Sequence, residues 1–305
     1  MRVTLLGPQR RPTLDTAAAS LYPDGPVATI TAGWQEREPD DGELGKLLGS
    51  RDVNLRLYQR WLDVQERDPQ FAAGERELAA VLEELQDMYL LRLDHALQAV
   101  YAVQRRSGPG RLRADVLAEA VGAVRELDAA HLRRVSAVRG EFYQGLRPHD
   151  RPVIAGHRAE VAAVLAGAAG VAVAGGHVGV LADTLHLFNV AASLSSPVIA
   201  WSAGAMALTD RIVLFNDRAP QGPGHPEVYG SGLSVLRHVV ALPHAGARLR
   251  LGDTPRMAVF ARRFAPACCV LLESGTRMDT DTDGGCPPGT RVLATDGRVT
   301  TREAA

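Results

Sequence analysis

Apolar residues in this chain follow two rhythms. Short unbroken runs bounded by Gly or Pro, such as residues 3–6 and 27–31, read as buried strands of a parallel sheet, where both faces are covered. From about residue 54 to residue 144 the strand signal vanishes and apolar side chains recur at helical spacing, among them Leu78, Val81, Leu82, Leu85, Met88 and Tyr89. This spacing predicts three long helices over 54–66, 74–106 and 113–143, with Ser107-Gly108-Pro109-Gly110 as the turn between the last two. After Pro148 the two rhythms alternate: helix 158–168, strand 170–174, helix 178–192, strand 197–201, then strands at 239–242 and 268–272 and a terminal hairpin at 291–299.

Alternating strands and helices with short connections predict an α/β fold: a doubly wound, mostly parallel sheet carrying a large all-helical insertion. The expected organisation is one α/β domain over 1–305, with the helical insertion at 50–147, a half carrying the chemistry at 148–278, and a C-terminal hairpin or tail at 279–305. Leu78, Leu82, Leu85, Tyr89, Leu93, Leu97 and Val100 give the insertion more apolar surface than one bundle seam hides. It is therefore expected to pack beside the site end of the sheet or to form a homo-oligomer contact.

Composition narrows the classes. A chain of 305 residues with 46% hydrophobic content can bury a large core without disulfides or metals. Its net charge of -1 creates no broad basic field, so neither nucleic acid nor a membrane surface is an expected partner. Arg133-Arg134 and Arg262-Arg263 read as solvated helix faces. Cys268, Cys269 and Cys286 lack metal-ligand spacing and fit a reducing compartment. The first apolar run is too short for a signal peptide, and no run of about 18 apolar residues exists. A cytoplasmic location is expected.

The chemistry concentrates in Pro197-Val198-Ile199-Ala200-Trp201-Ser202-Ala203-Gly204-Ala205-Met206-Ala207-Leu208. An apolar run that turns through a serine between small residues and continues as a helix predicts a nucleophile elbow, with Ser202 at the apex and the Ala203 N–H facing a developing oxyanion. Ala200 stands where an ordinary elbow has glycine. A nucleophilic serine needs a base, and His244, just past the strand 239–242, is the preferred one. Asp217, shortly after the apolar run 212–215, is the preferred orienting acid, and Glu273, after Val270-Leu271-Leu272, competes for that role. A second oxyanion donor could come from the glycine pair Gly175-Gly176.

Gly175-Gly176 before a helix, Trp201-Ser202-Ala203-Gly204-Ala205, Asn216-Asp217, and His244 after a strand together resemble the serine peptidases typified by dipeptidase E and cyanophycinase. The resemblance runs from about residue 153 to 275, is faint over 1–35, and does not cover the helical block. It implies a class I glutamine amidotransferase-like fold, Ser202 as nucleophile, His244 as general base and then acid, Asp217 as the residue orienting the imidazole, and an oxyanion hole from the Gly176 and Ala203 N–H groups. Where the family has Asn or Asp after the glycine pair, this chain has His177, so the family's preference for aspartyl substrates does not carry over.

Two further patterns are weaker. Asp279-Thr280-Asp281-Thr282-Asp283-Gly284 copies the opening of a calcium loop, but the twelfth position is Thr290 and Pro287-Pro288 interrupts it, which favours an acidic hairpin. Asp183 and His186, with His177 nearby, lack a fourth metal ligand. No cofactor and no metal are expected. The sequence thus reads as a serine hydrolase cleaving a small peptide or related amide through an acyl-enzyme. The alternatives are an esterase with the same machinery and a non-catalytic binding or assembly protein on the same scaffold.

Overall fold

The computed structural model describes residues 1–9, 13–22, 24–107, 109–218, 224–282 and 285–303. The chain opens with β1 (Arg2–Leu6), α1 (Leu14–Leu21), β2 (Val27–Ile30), a 3-10 helix over Ala32–Arg37, α2 (Gly42–Leu47) and β3 (Asp52–Asn54). Three helices follow, α3 (Leu57–Arg67), α4 (Pro69–Arg105) and α5 (Gly110–Leu146). Alternation then resumes with α6 (Pro152–Gly167), β4 (Gly170–Val173), α7 (Val178–Leu187), α8 (Val190–Ser193), β5 (Val198–Trp201) and α9 (Ala203–Ala207). The remainder is β6 (Arg211–Leu214), β7 (Glu227–Ser231), β8 (Val239–Pro243), α10 (Ala245–Arg248), α11 (Thr254–Phe264), β9 (Cys268–Leu272), β10 (Arg277–Asp281), β11 (Arg291–Leu293) and β12 (Val299–Thr301).

The molecule is a mixed α/β structure with a parallel-strand sheet and a long helical region. Six strands pair in the order β10-β1-β5-β4-β2-β3, and only β10 runs antiparallel. Burial alternates with a period of two. Val171, Val173, Val198 and Ala200 enter one core, with α6, α7 and α9, while Ala172, Ala174, Ile199 and Trp201 enter another, with α1 and α2. Strands covered on both faces have no polar alternation, which is why their sequence signal is a solid apolar run.

The sheet is shorter than the sequence suggests. β8 and β9 pair in parallel, but in a separate four-stranded sheet, β12-β11-β9-β8, and β6 and β7 form a hairpin of their own. Edges explain the split: β5 has β1 and β4 on its two sides, and β1 is closed by β10, so β8 has no edge to join beside them. Within β10, Asp279 accepts from Thr4 Oγ1 at 2.6 Å and pairs with Arg277, so the acidic run from Asp279 to Asp281 is an edge strand. Asp283 and Gly284 of the calcium-like pattern, and Gly108 of the turn, lie outside the described residues. The helix expected over 178–192 is broken by Asn189, whose left-handed backbone (φ 52°) separates α7 from α8.

The two 37-residue helices α4 and α5 pack along each other. Tyr89, Leu93, Leu97 and Val100 of α4 and Val121, Val124 and Leu127 of α5 are buried with residues of β8, β9 and α11. A polar knot locks this seam. Arg263 is buried rather than solvated: its guanidinium donates to both oxygens of Asp128, at 2.7 Å each, to Tyr89 Oη at 2.8 Å and to the Pro226 carbonyl at 2.5 Å. Only the tertiary meeting of α5 and α11 supplies Asp128 as a partner, and without it a buried guanidinium would be costly. Among the described residues, no helix is long and apolar enough to cross a membrane.

Candidate active site

Ser202 sits between the end of β5 and the start of α9 with φ 52° and ψ -125°, a backbone region sparsely populated by residues with a side chain. Such a conformation costs about 1–3 kcal/mol and persists only where its surroundings fix it. Two glycines provide that fixing. A Cβ on Gly175 would lie 2.7 Å from Ser202 Cβ, and a Cβ on Gly204 would lie 2.4 Å from the Val173 carbonyl oxygen, so α9 can approach β4 only because both positions are bare. Ala200, in place of the usual elbow glycine, is tolerated because its methyl is buried in the sheet core between β1 and β4. Ser202 is half-buried, and the Ala203 N–H opens α9, where helix geometry provides no acceptor.

The glycine pair lies against this elbow. Gly175 is buried, whereas Gly176 is exposed and has φ 117°, which favours glycine. A third glycine, Gly33 at the start of the 3-10 helix, closes the cluster: its carbonyl accepts the His177 N–H at 2.7 Å, and a Cβ on Gly33 would fall 2.7 Å from Gly175 O. His177 caps α7 by accepting the Val180 N–H on Nδ1 at 3.2 Å. That is the service Asn or Asp gives at an N-cap. Gln35, two residues after Gly33, has φ 58° and ψ -126°, nearly the backbone of Ser202. No glycine or turn motif marks it in the sequence; only the fold places this second strained residue beside the glycine cluster.

His244 follows β8 directly and opens α10 in a left-handed conformation (φ 56°), and α9 packs on β8. Its backbone N–H donates to Leu272 O at 3.1 Å, which sets Glu273 alongside it at the end of β9. Glu273 accepts the Gly246 N–H at 2.5 Å and so caps the first turn of α10. Asp217 is fully buried. It accepts Arg256 Nη2 at 2.6 Å and Nε at 3.1 Å on Oδ1, accepts the Arg250 N–H at 3.0 Å on Oδ2, and donates its own N–H to Arg248 O at 2.7 Å. Burial pulls the Arg256 guanidinium down, but the hydrogen bond to Asp217 together with the charges of Tyr101, Asp217 and Asp253 raises it above its ordinary value. The two carboxylates therefore bracket the turn that begins at His244, Glu273 at its start and Asp217 where α10 ends. Ser202 lies at the end of β5 in the other sheet, and α9, which follows it, packs on β8.

The metal-like patterns are otherwise engaged. Asp183 accepts Arg139 Nη2 at 2.7 Å, and among the described residues no group of three or more His, Cys, Asp or Glu is placed to hold a metal ion.

No family model and no curated protein matches the chain. Among solved structures it is similar to the crystal structure of a peptidase from an acI-B1 Actinobacterium, with 13% sequence identity, a TM-score of 0.47, and coverage of 99% of this chain and 94% of that one.

Proposed function

We propose that this chain is a serine hydrolase that cleaves a small peptide or related amide through an acyl-enzyme on Ser202. One observation carries the reading: Ser202 holds the strained elbow backbone, φ 52° and ψ -125°, between a buried parallel strand and a helix, over two glycines that cannot bear a Cβ. Such strain at an otherwise ordinary serine is stability given up to hold a side chain at one place. In this reading His244 removes the Ser202 proton as Oγ attacks the carbonyl carbon and then gives it to the leaving amine; water, deprotonated by the same imidazole, resolves the ester. The Gly176 and Ala203 N–H groups stabilise the oxyanion, and losing one such donor typically costs about 3 kcal/mol of transition-state stabilisation.

Asp217 is the first assignment for the orienting acid, since it is buried, ion-paired and hydrogen-bonded to the segment following α10. Glu273, on the α10 N-terminus, is the second.

The test is labelling by a fluorophosphonate probe, read by intact mass and peptide mapping. One phosphonyl adduct on Ser202, absent in Ser202→Ala, supports the reading. A folded protein that stays unlabelled, or carries its adduct elsewhere, overturns it in favour of the binding-protein alternative.

A further inference from the structure

A cavity of about 220 Å³ lies between α3, α4 and α5 on one side and α7 on the other. Four aromatic side chains stand in its wall: Tyr58 and Trp61 of α3 have ring centroids 5.4 Å apart at 30°, and Phe142 and Tyr143 of α5 meet edge to face at 5.4 Å. Into this apolar box projects Glu75, a carboxylate that the Ser202 reading does not use. Trp61 Nε1 and Gln65 Nε2 both donate to Glu75 Oε2, at 2.8 and 2.5 Å, and among the described residues no donor serves Oε1. The other charged groups at the cavity are Asp183 and Arg139, which satisfy each other at 2.7 Å, and Arg76, which is exposed.

The chemistry of a fitting guest follows. A neutral apolar guest would cover the Glu75 oxygen without pairing it, and an anion would sit against the Glu75 carboxylate, the Asp183–Arg139 pair being neutral overall. A cation suits both the carboxylate and the aromatic faces, whose negative π surfaces attract positive charge. The volume sets the guest at the size of a single small amine, below the roughly 300–1,000 Å³ of drug-sized sites. We propose that this cavity binds a small organic ammonium with an apolar or aromatic body, its ammonium on Glu75 Oε1 and its body against Trp61 and Phe142. Burial raises the Glu75 carboxyl above its usual range, and an ammonium beside it would lower it again. The proposal does not depend on the chemistry assigned to Ser202.

Trp61 lies in the wall, so its fluorescence reports occupancy. The probe is 2-phenylethylamine, and the comparison is 3-phenylpropionate, a carboxylate of similar body. Titration into the full chain is expected to give a saturable change in emission for the amine, lost in Trp61→Phe, with the carboxylate at least tenfold weaker. Ligand-observed NMR reports binding independently of the tryptophan. Glu75→Gln keeps an acceptor for Trp61 and removes the charge, and is expected to weaken the amine at least tenfold. Failure of the amine to bind through the millimolar range, carboxylate binding of equal strength, or an undiminished affinity in folded Glu75→Gln each overturns the proposal. Should Glu75→Gln not fold, the comparison of amine with carboxylate on the unaltered chain decides alone.

Discussion

Gly175→Ala puts one methyl against the proposed nucleophile and nothing else of consequence. The added Cβ would stand 2.7 Å from Ser202 Cβ, 3.4 Å from Ala203 N and 3.5 Å from Ser202 Oγ. Carbon atoms prefer separations of about 3.5–4.0 Å, so the elbow must withdraw by about 1 Å. Overpacking of this size costs about 1–3 kcal/mol, and at roughly 2–4 °C per kcal/mol the melting temperature should fall by about 2–12 °C. A misplacement of about 1 Å at reacting atoms costs on the order of 100-fold in rate. The two effects separate cleanly. In pseudo-first-order labelling with a fluorophosphonate, Gly175→Ala should react about 100-fold more slowly while circular dichroism shows a folded protein. Gly122→Ala is the control: that glycine lies inside α5 with nothing within 4 Å of where the added methyl would stand, and alanine there should raise stability by up to about 1 kcal/mol without touching labelling. A folded Gly175→Ala that labels at the parental rate would refute the assignment of Ser202 to a backbone-fixed elbow.

Other expectations concern stability and reactivity. Asp128→Ala strands the buried Arg263 guanidinium and should cost about 3–5 kcal/mol, a fall in melting temperature of roughly 10 °C; calorimetry showing a loss of only a degree or two would mean the Arg263 knot contributes little. Hydrogen bonding from Cys286, with Arg302 assisting, lowers the Cys268 thiol to about 6, whereas burial pushes Cys269 up to about 12. Iodoacetamide at neutral pH should therefore alkylate Cys268 first, by peptide mapping, and Arg302→Gln should slow it; equal rates at the two positions would contradict this. Burial, reinforced by Arg139, holds His186 below the usual imidazole range. The unfolded chain then takes up the proton first, so this contribution to stability is present above about pH 6.5 and is lost as pH falls from there through the lowered value of the folded state. Melting temperatures at pH 7.5 and 5.5 should differ less in His186→Gln than in the parent, and an unchanged difference would exclude His186 as a source.

What the sequence determined by itself was whatever is local. Solid apolar runs are forced on strands covered on both faces, so β1, β2, β4, β5, β8 and β9 are legible, and helical periodicity located α3, α4 and α5 to within a few residues. The elbow is legible for the same reason, since Trp201-Ser202-Ala203-Gly204 records a local steric need. Elements that lean on distant partners were not legible: β10 exists as a strand because β1 offers it an edge, and the apolar run at 212–215 does not reveal that β6 pairs with β7 in a hairpin of its own. Pairing partners lie far apart along the chain, so a sheet edge is closed by whichever strand reaches it, and periodicity cannot tell that β5 and β8 end in different sheets. Charge shows the same limit. Arg263 looks like its exposed neighbour Arg262 until α5 brings Asp128 to it, and Asp217 looks like a loop aspartate until Arg256 closes over it. The desolvation that decides whether a charged side chain is solvated, paired or chemically poised is a property of everything packed around it, which the tertiary structure alone supplies.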